Sequence, residues 1–100
     1  MSALDLAFTQ EYQRALVKLD HLQQSHVLRA VLKLQKGLEA PHLHKLEGLP
    51  FHAFGVNQKA LRVICKRDGG LLILLHVAAH DDAYRWASRH TVKQLSLIHI

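Results

Sequence analysis

Apolar and polar positions repeat with two different periods along the chain, and the switches between them divide it into elements. Leu4, Leu6 and Phe8 alternate with Asp5 and Ala7, a period of two that predicts a short first strand at or near a sheet edge. Thr9 then stands where a helix needs an N-cap, and Glu11 falls in the first turn, where the helix dipole favours negative charge. Tyr12, Ala15, Leu16 and Leu19 follow at i, i+3, i+4 and i+7, one apolar helical face. Asp20 and Gln23 have the spacing of a capping box and open a second helix. On that helix Val27, Val31, Leu34 and Leu38 share one face, and His26, Arg29, Lys33 and Lys36 share the opposite one. Gly37 and Pro41 stop it. Two helices with so short a join predict an antiparallel hairpin.

The segment from Glu39 to Pro50 reads as a loop, with two prolines, Gly48 and the pair His42 and His44. The strand period then returns. Phe54 and Val56 alternate with Gly55 and Asn57, and Leu61, Val63 and Cys65 alternate with Arg62, Ile64 and Lys66. Asp68-Gly69-Gly70 supplies residues that accept positive φ, as a tight turn requires. Leu71 to Val77 is apolar except for His76, the pattern of a central strand buried on both faces. Asp81 or Asp82 is expected to cap a last helix carrying Ala83, Trp86 and Ala87. The order β-α-α-β-β-β-α predicts one α+β domain: a small, mostly antiparallel sheet with a helical hairpin packed on it. No internal repeat, low-complexity segment or interdomain linker interrupts that order.

Composition limits what such a domain does. The chain has 100 residues, 49% hydrophobic and 21% charged, which suits one folded core and excludes a disordered chain. The longest apolar run, Leu71 to Leu75, is far short of the roughly 20 residues a membrane span needs, so no membrane partner is expected. Asp5 and Glu11 interrupt the N-terminal apolar stretch, so no signal pattern is read there. Cys65 stands alone, which excludes an internal disulfide and suits a reducing, cytoplasmic setting. A net charge of +5 with neutral histidines favours a polyanionic partner, RNA or DNA, or an acidic protein. Nine histidines make that charge climb as the pH falls through about 6.5. No G-x-x-x-x-G-K-[ST] phosphate loop is present, so these residues do not hydrolyse ATP, and no cofactor is expected.

The final residues, Leu95 to Ile100, read LSLIHI. One reading is a C-terminal strand. A second is suggested by the string CTG TCT CTT ATA CAC ATC, which would encode this peptide and resembles a transposase adapter of shotgun sequencing libraries. On that reading residues 95–100 are a non-native tail, residues 1–94 are the domain, and the natural chain continues beyond Gln94. Codons that differ from the adapter would remove this expectation.

The segment from His44 to Trp86 resembles the RelE/ParE toxin superfamily. The resemblance lies in a Leu-x-Gly loop (Leu46, Gly48), a following strand with Arg62, and an apolar strand ending before a His-x-x-x-Tyr segment (His80, Tyr84). With the preceding strand and hairpin it covers roughly residues 4–90. Within the superfamily, HDDAYRWASRH is most similar to the RelE-like N-terminal segment of some UvrD/Rep-type superfamily 1 DNA helicases, which read His-His-Asp-Asp/Glu-Ala-Tyr-x-Trp-Ala; Ala79 replaces the first histidine. The resemblance implies a nucleic-acid-directed accessory module attached to helicase domains. It also admits a free-standing toxin, an mRNA endoribonuclease held by an antitoxin, and a non-catalytic protein-binding module.

RNA cleavage by attack of a 2′-hydroxyl on its own phosphate needs cations around the phosphate and a group that moves a proton or stacks on a base. In the family, two strand lysines, two arginines and a C-terminal tyrosine supply these. Here the lysine positions fall on Ala53 and Gly55, and the later arginine falls near Ala78, so only Arg62 and Tyr84 stay in register. Arg62, Tyr84 and His80 are therefore the candidate catalytic residues: Arg62 as a bidentate phosphate ligand, Tyr84 as a stacking group, His80 as an acid or base. Each has a plain structural alternative. Arg62 could lay its stem on the sheet and pair with Asp81 or Asp82, Tyr84 could anchor its helix, and His76 and His80, expected beside His52, could be satisfied structural histidines. Arg29, Lys33, Lys36, Lys66 and Arg67 are the candidate phosphate contacts outside the catalytic set, against the alternative of a solvated charged surface. His42, His44, His52, His76 and His80 lack a diagnostic ligand spacing, so no metal is expected. Cys65 shares a face with Leu61 and Val63 and is expected to be a buried small hydrophobe.

Overall fold

The computed structural model describes residues 5–36, 43–56 and 60–90, and the backbone of residues 97–99. The predicted helix stop at Gly37 and Pro41, together with Leu38 and His42, lies outside the described residues. Strand β1 (Asp5–Thr9) leads directly into helix α1 (Gln10–Val17). The switch falls at Thr9, whose hydroxyl accepts a hydrogen bond from the Tyr12 amide at 3.1 Å and so caps the helix. Helix α2 (His21–Gln35) opens on the expected capping box, with Asp20 Oδ1 accepting from the Gln23 amide at 2.8 Å.

The strands are β2 (His44–Lys45), β3 (His52–Val56), β4 (Leu61–Asp68), β5 (Leu71–Ala79) and β6 (Leu97–His99), with helix α3 (His80–Arg89) between the last two. They form one mixed sheet in the order β2-β3-β4-β5-β1-β6. Strands β1 and β5 are parallel and every other pair is antiparallel. As its unbroken apolar run requires, β5 is central, and β1 lies next to the edge. The β4–β5 turn uses Gly69 at φ +60°, a conformation that a side chain disfavours. The two-residue β2 and the segment 97–99, within LSLIHI, are the strands that β-α-α-β-β-β-α does not contain.

Two cores flank the sheet. On one side the α1–α2 hairpin buries Tyr12, Ala15, Val27, Val31 and Leu34 against Phe54, Val63, Leu72 and Leu74. On the other, Ala83 and Ala87 of α3 press on Ile64 and Leu75, with Phe51 and Leu46 beside them. Side chains this buried contribute roughly 1.5–3 kcal/mol each when large and aliphatic or aromatic.

Strict alternation fails at one point. Ile64 pairs with His76 and Cys65 with Leu74, which leaves Leu75 as an extra residue in β5. Leu75 and His76 consequently both lie on the α3 side, and Val77 returns to the hairpin side. Thr9 is built into this bulge. Its hydroxyl lies 3.3 Å from both the Leu74 and the Leu75 carbonyl, where the ladder is interrupted. The predicted cap of α3 is corrected by the structure: Ala79 is the N-cap and no side chain caps the helix. Asp81 and Asp82 fall inside the first turn and offset the helix dipole instead.

Candidate functional site

Arg62 is the one cation that the fold draws inward among the described residues. It lies in the middle of β4, pairs with Gly55 of β3 and Ala78 of β5, and is only 9% exposed. The two small flanking residues explain how the sheet admits a guanidinium: neither brings side-chain bulk onto the strand surface beside it. Its Nε and Nη1 are buried without a hydrogen-bond partner. A buried donor left unsatisfied costs about 1–3 kcal/mol, and this side chain carries two. The expected pairing with Asp81 or Asp82 is not made. Asp81 Oδ1 is 3.0 Å from His80 Nδ1, and Asp82 Oδ1 accepts from Arg85 Nη1 at 3.2 Å.

The other two candidate catalytic residues follow closely in the chain. Ala78, opposite Arg62, lies two residues before His80, where β5 becomes α3. The spacing i, i+4 puts His80 and Tyr84 on one flank of α3, with ring centroids 4.5 Å apart in an edge-to-face contact. His80 is exposed and Tyr84 half-buried against the α3-side core. The positions that the family resemblance assigns to further cations, Ala53, Gly55 and Ala78, all lie on the same face as Arg62 and bring no charge to it. The chemistry available there is one forked cation, a histidine oriented by a carboxylate, and a phenol. A guanidinium is a group that can hold an oxyanion, and a histidine or phenol one that can orient it.

The candidate phosphate contacts do not converge on Arg62. Lys66 shares its face of β4, four residues on, and is half-buried. Arg67 is exposed and points to the hairpin side, opposite Leu72. Arg29, Lys33 and Lys36 are exposed on the outer face of α2. Val17, Leu22, Leu28 and Leu32 are exposed too, so the hairpin surface mixes cations with large apolar side chains. His52 is not beside His76. It lies in β3 on the hairpin side, because it pairs with Cys65, whereas the bulge turns His76 to the α3 side. Among the described residues no three His, Cys, Asp or Glu side chains are grouped to hold a metal.

A ring stack that the spacing of the chain does not predict lies on α3 and the end of β5. The imidazoles of His76 and His90 lie parallel to the Trp86 indole, with centroids at 4.7 Å and 4.3 Å. His90 Nδ1 is 2.8 Å from the Trp86 carbonyl, an acceptor, so that nitrogen carries the proton. Burial, reinforced by His90 and Lys18 and partly offset by Asp82, lowers the His76 pKa to about 4. The i, i+4 spacing of Trp86 and His90 was visible in the sequence, but His76 joins them only through the bulge. The stack edges an open groove of about 590 Å³ between α1, the end of β5 and α3. Arg14 and Lys18 are balanced there by Glu11 and Asp82, which makes the groove a poor attractor of polyanions. Cys65 is fully buried, and burial pushes its thiol up to about 12, as expected of an inert core cysteine.

No family model and no curated protein matches the chain. Solved structures do. The RelB–RelE antitoxin–toxin complex of Methanococcus jannaschii matches with a TM-score of 0.65 at 12% identity, over 79% of this chain and 95% of that one. A copper-bound mutant toxin from Helicobacter pylori matches at 0.58 and 22%, over 79% and 97%. The RelBE2 toxin–antitoxin complex of Mycobacterium tuberculosis matches at 0.52 and 19%, over 80% and 94%. The chain therefore has the RelE-like toxin fold.

Proposed function

We propose that this RelE-like domain binds a nucleic-acid phosphate through Arg62, and that binding rather than strand cleavage is its main activity. The observation that carries the reading is the buried guanidinium with two unpartnered nitrogens. Nε–H and the Nη1 amine point to different edges of the guanidinium, so an oxyanion there would meet the charge and one of these donors, not both. Ala53, Gly55 and Ala78 leave the face without the further cations that would stabilise charge in a cleavage transition state. On this reading His80 and Tyr84 orient or stack on the neighbouring nucleotide, and Lys66, Arg67, Arg29, Lys33 and Lys36 add sequence-independent contacts. The accessory role in a UvrD/Rep-like helicase is supported by the segment HDDAYRWA.

A second reading is a free-standing toxin, an endoribonuclease with an antitoxin partner. It is favoured by the exposed Val17, Leu22, Leu28 and Leu32 among cations of the hairpin, a surface suited to an acidic amphipathic segment. The fold neighbours from M. jannaschii and M. tuberculosis are themselves complexes of toxin and antitoxin.

One experiment separates the two. Labelled single-stranded RNA and DNA are titrated with wild type and Arg62→Ala across a salt series, and the RNA is then resolved for cuts. Binding that weakens in the variant, with a salt slope smaller by about 1 and intact RNA, supports the proposal. Cleavage by wild type that is lost in Arg62→Ala replaces it with the ribonuclease reading. Salt-insensitive binding, or binding as tight in Arg62→Ala as in wild type, removes both when wild type leaves the RNA uncut.

A further inference from the structure

The corner of the sheet where β2, β3 and the end of β4 meet carries a second set of cations, apart from Arg62. Strand pairing places Lys45 of β2 opposite His52 of β3, and His52 opposite Cys65 of β4. Arg67 follows Cys65 by two residues and faces Leu72, so it lies on the same side of the sheet. Lys45, His52 and Arg67 thus form a row across three strands on the hairpin side, the side opposite Arg62. Lys45 and Arg67 are exposed and His52 is half-buried. The His52 Nδ1 is buried without a partner, which leaves Nε2 as the ring nitrogen able to meet a ligand.

We propose that Lys45, His52 and Arg67 form a phosphate-binding site distinct from the one at Arg62. Its ligand is a phosphate oxyanion, held by two flexible cations and the Nε2–H of a neutral imidazole. Burial, then Arg67, Lys45 and His44, hold the His52 pKa below the ordinary histidine range, and no carboxylate among the described residues acts in the other direction. The nearest acids in the chain are Glu47, in the turn after β2, and Asp68, which alternates to the other side of β4. An anion bound here favours the imidazolium, so binding and protonation of His52 are linked.

The test follows the His52 ring by NMR pH titration in phosphate-free buffer, with the resonance assigned by its loss in His52→Gln. The free protein should titrate at His52 below the ordinary midpoint, and inorganic phosphate should move that midpoint upward. The double variant Lys45→Ala, Arg67→Ala should raise the midpoint of the free protein and weaken phosphate binding by about tenfold. Arg62→Ala should leave the His52 response intact, which separates this site from the proposed function. A short single-stranded RNA in place of inorganic phosphate identifies the source, since the true ligand moves His52 at the lower concentration. A midpoint that answers to neither probe overturns the proposal. So does a response that survives the double variant, or one that disappears in folded Arg62→Ala.

Discussion

Replacing Arg62 by methionine should make the protein more stable. Methionine keeps an unbranched stem of similar reach over Gly55 and Ala78 and removes the charge together with both orphaned donors. Two unsatisfied buried donors cost about 1–3 kcal/mol each, and exchanging a buried ionic group for a packed apolar one is worth up to about 4 kcal/mol. Some of that gain is lost because methionine fills the space less completely than a guanidinium. The expected net gain is about 2 kcal/mol, or roughly 10 °C in Tm for a domain of this size. Urea unfolding, followed by the fluorescence of the single Trp86, measures it as a higher midpoint at unchanged slope. Phosphate should then narrow the gap, because an anion at Arg62 stabilises only the wild type, by about 2.7 kcal/mol at a hundred times Kd. Phosphate at the Lys45–His52–Arg67 corner acts on both proteins alike, so the difference between them reports Arg62. If Arg62→Met is less stable than wild type in phosphate-free buffer, the guanidinium is satisfied within the fold. Arg62 then offers no anion site.

The remaining predictions concern the supports of the fold. His76 titrates near 4 when folded against about 6.5 unfolded, so the unfolded chain binds the extra proton between those values. Stability should be complete above the upper value and fall as the pH drops toward 4, by about 1–2 kcal/mol once solvent screening of the partly exposed ring is allowed for; His76→Phe, which keeps a ring on Trp86, should flatten that limb in urea titrations. Thr9→Val should cost about 2 kcal/mol in the same unfolding assay, since it strips the α1 cap and the hydroxyl from the β5 bulge; a cost under half that would show the bulge to be satisfied otherwise. Cys65 should resist a thiol reagent at pH 8 in the native protein and react at once in denaturant, because burial holds its thiol near 12.

Local order was legible wherever a residue's neighbours in the chain decide its role. The Thr9 cap, the Asp20–Gln23 capping box, the apolar faces of the hairpin, the Gly69 turn and the central place of β5 all follow from backbone geometry over a few residues. That geometry is written directly in the spacing of polar and apolar side chains. At α3 two adjacent aspartates satisfy the cap pattern equally well. The helix nevertheless starts at His80, ahead of both, as a direct continuation of β5.

Tertiary pairing decided the rest, and the site above all. Alternation along β4 sets Arg62 between core residues, but does not say that its partners across the strands are Gly55 and Ala78. It therefore could not tell that the guanidinium is buried with two unmet donors. The single extra residue at Leu75 turned His76 from the hairpin side to Trp86 and separated it from His52. Because strand side chains alternate with a period of two, one inserted residue reverses the face of everything beyond it. Such an insertion leaves no mark in a run as uniformly apolar as Leu71 to Leu75. Likewise Lys45, His52 and Arg67, spread over 23 positions of the chain, become a row only when β2, β3 and β4 pair. Periodicity assigns each residue a face of its own strand, and only the register between strands says which residues meet there.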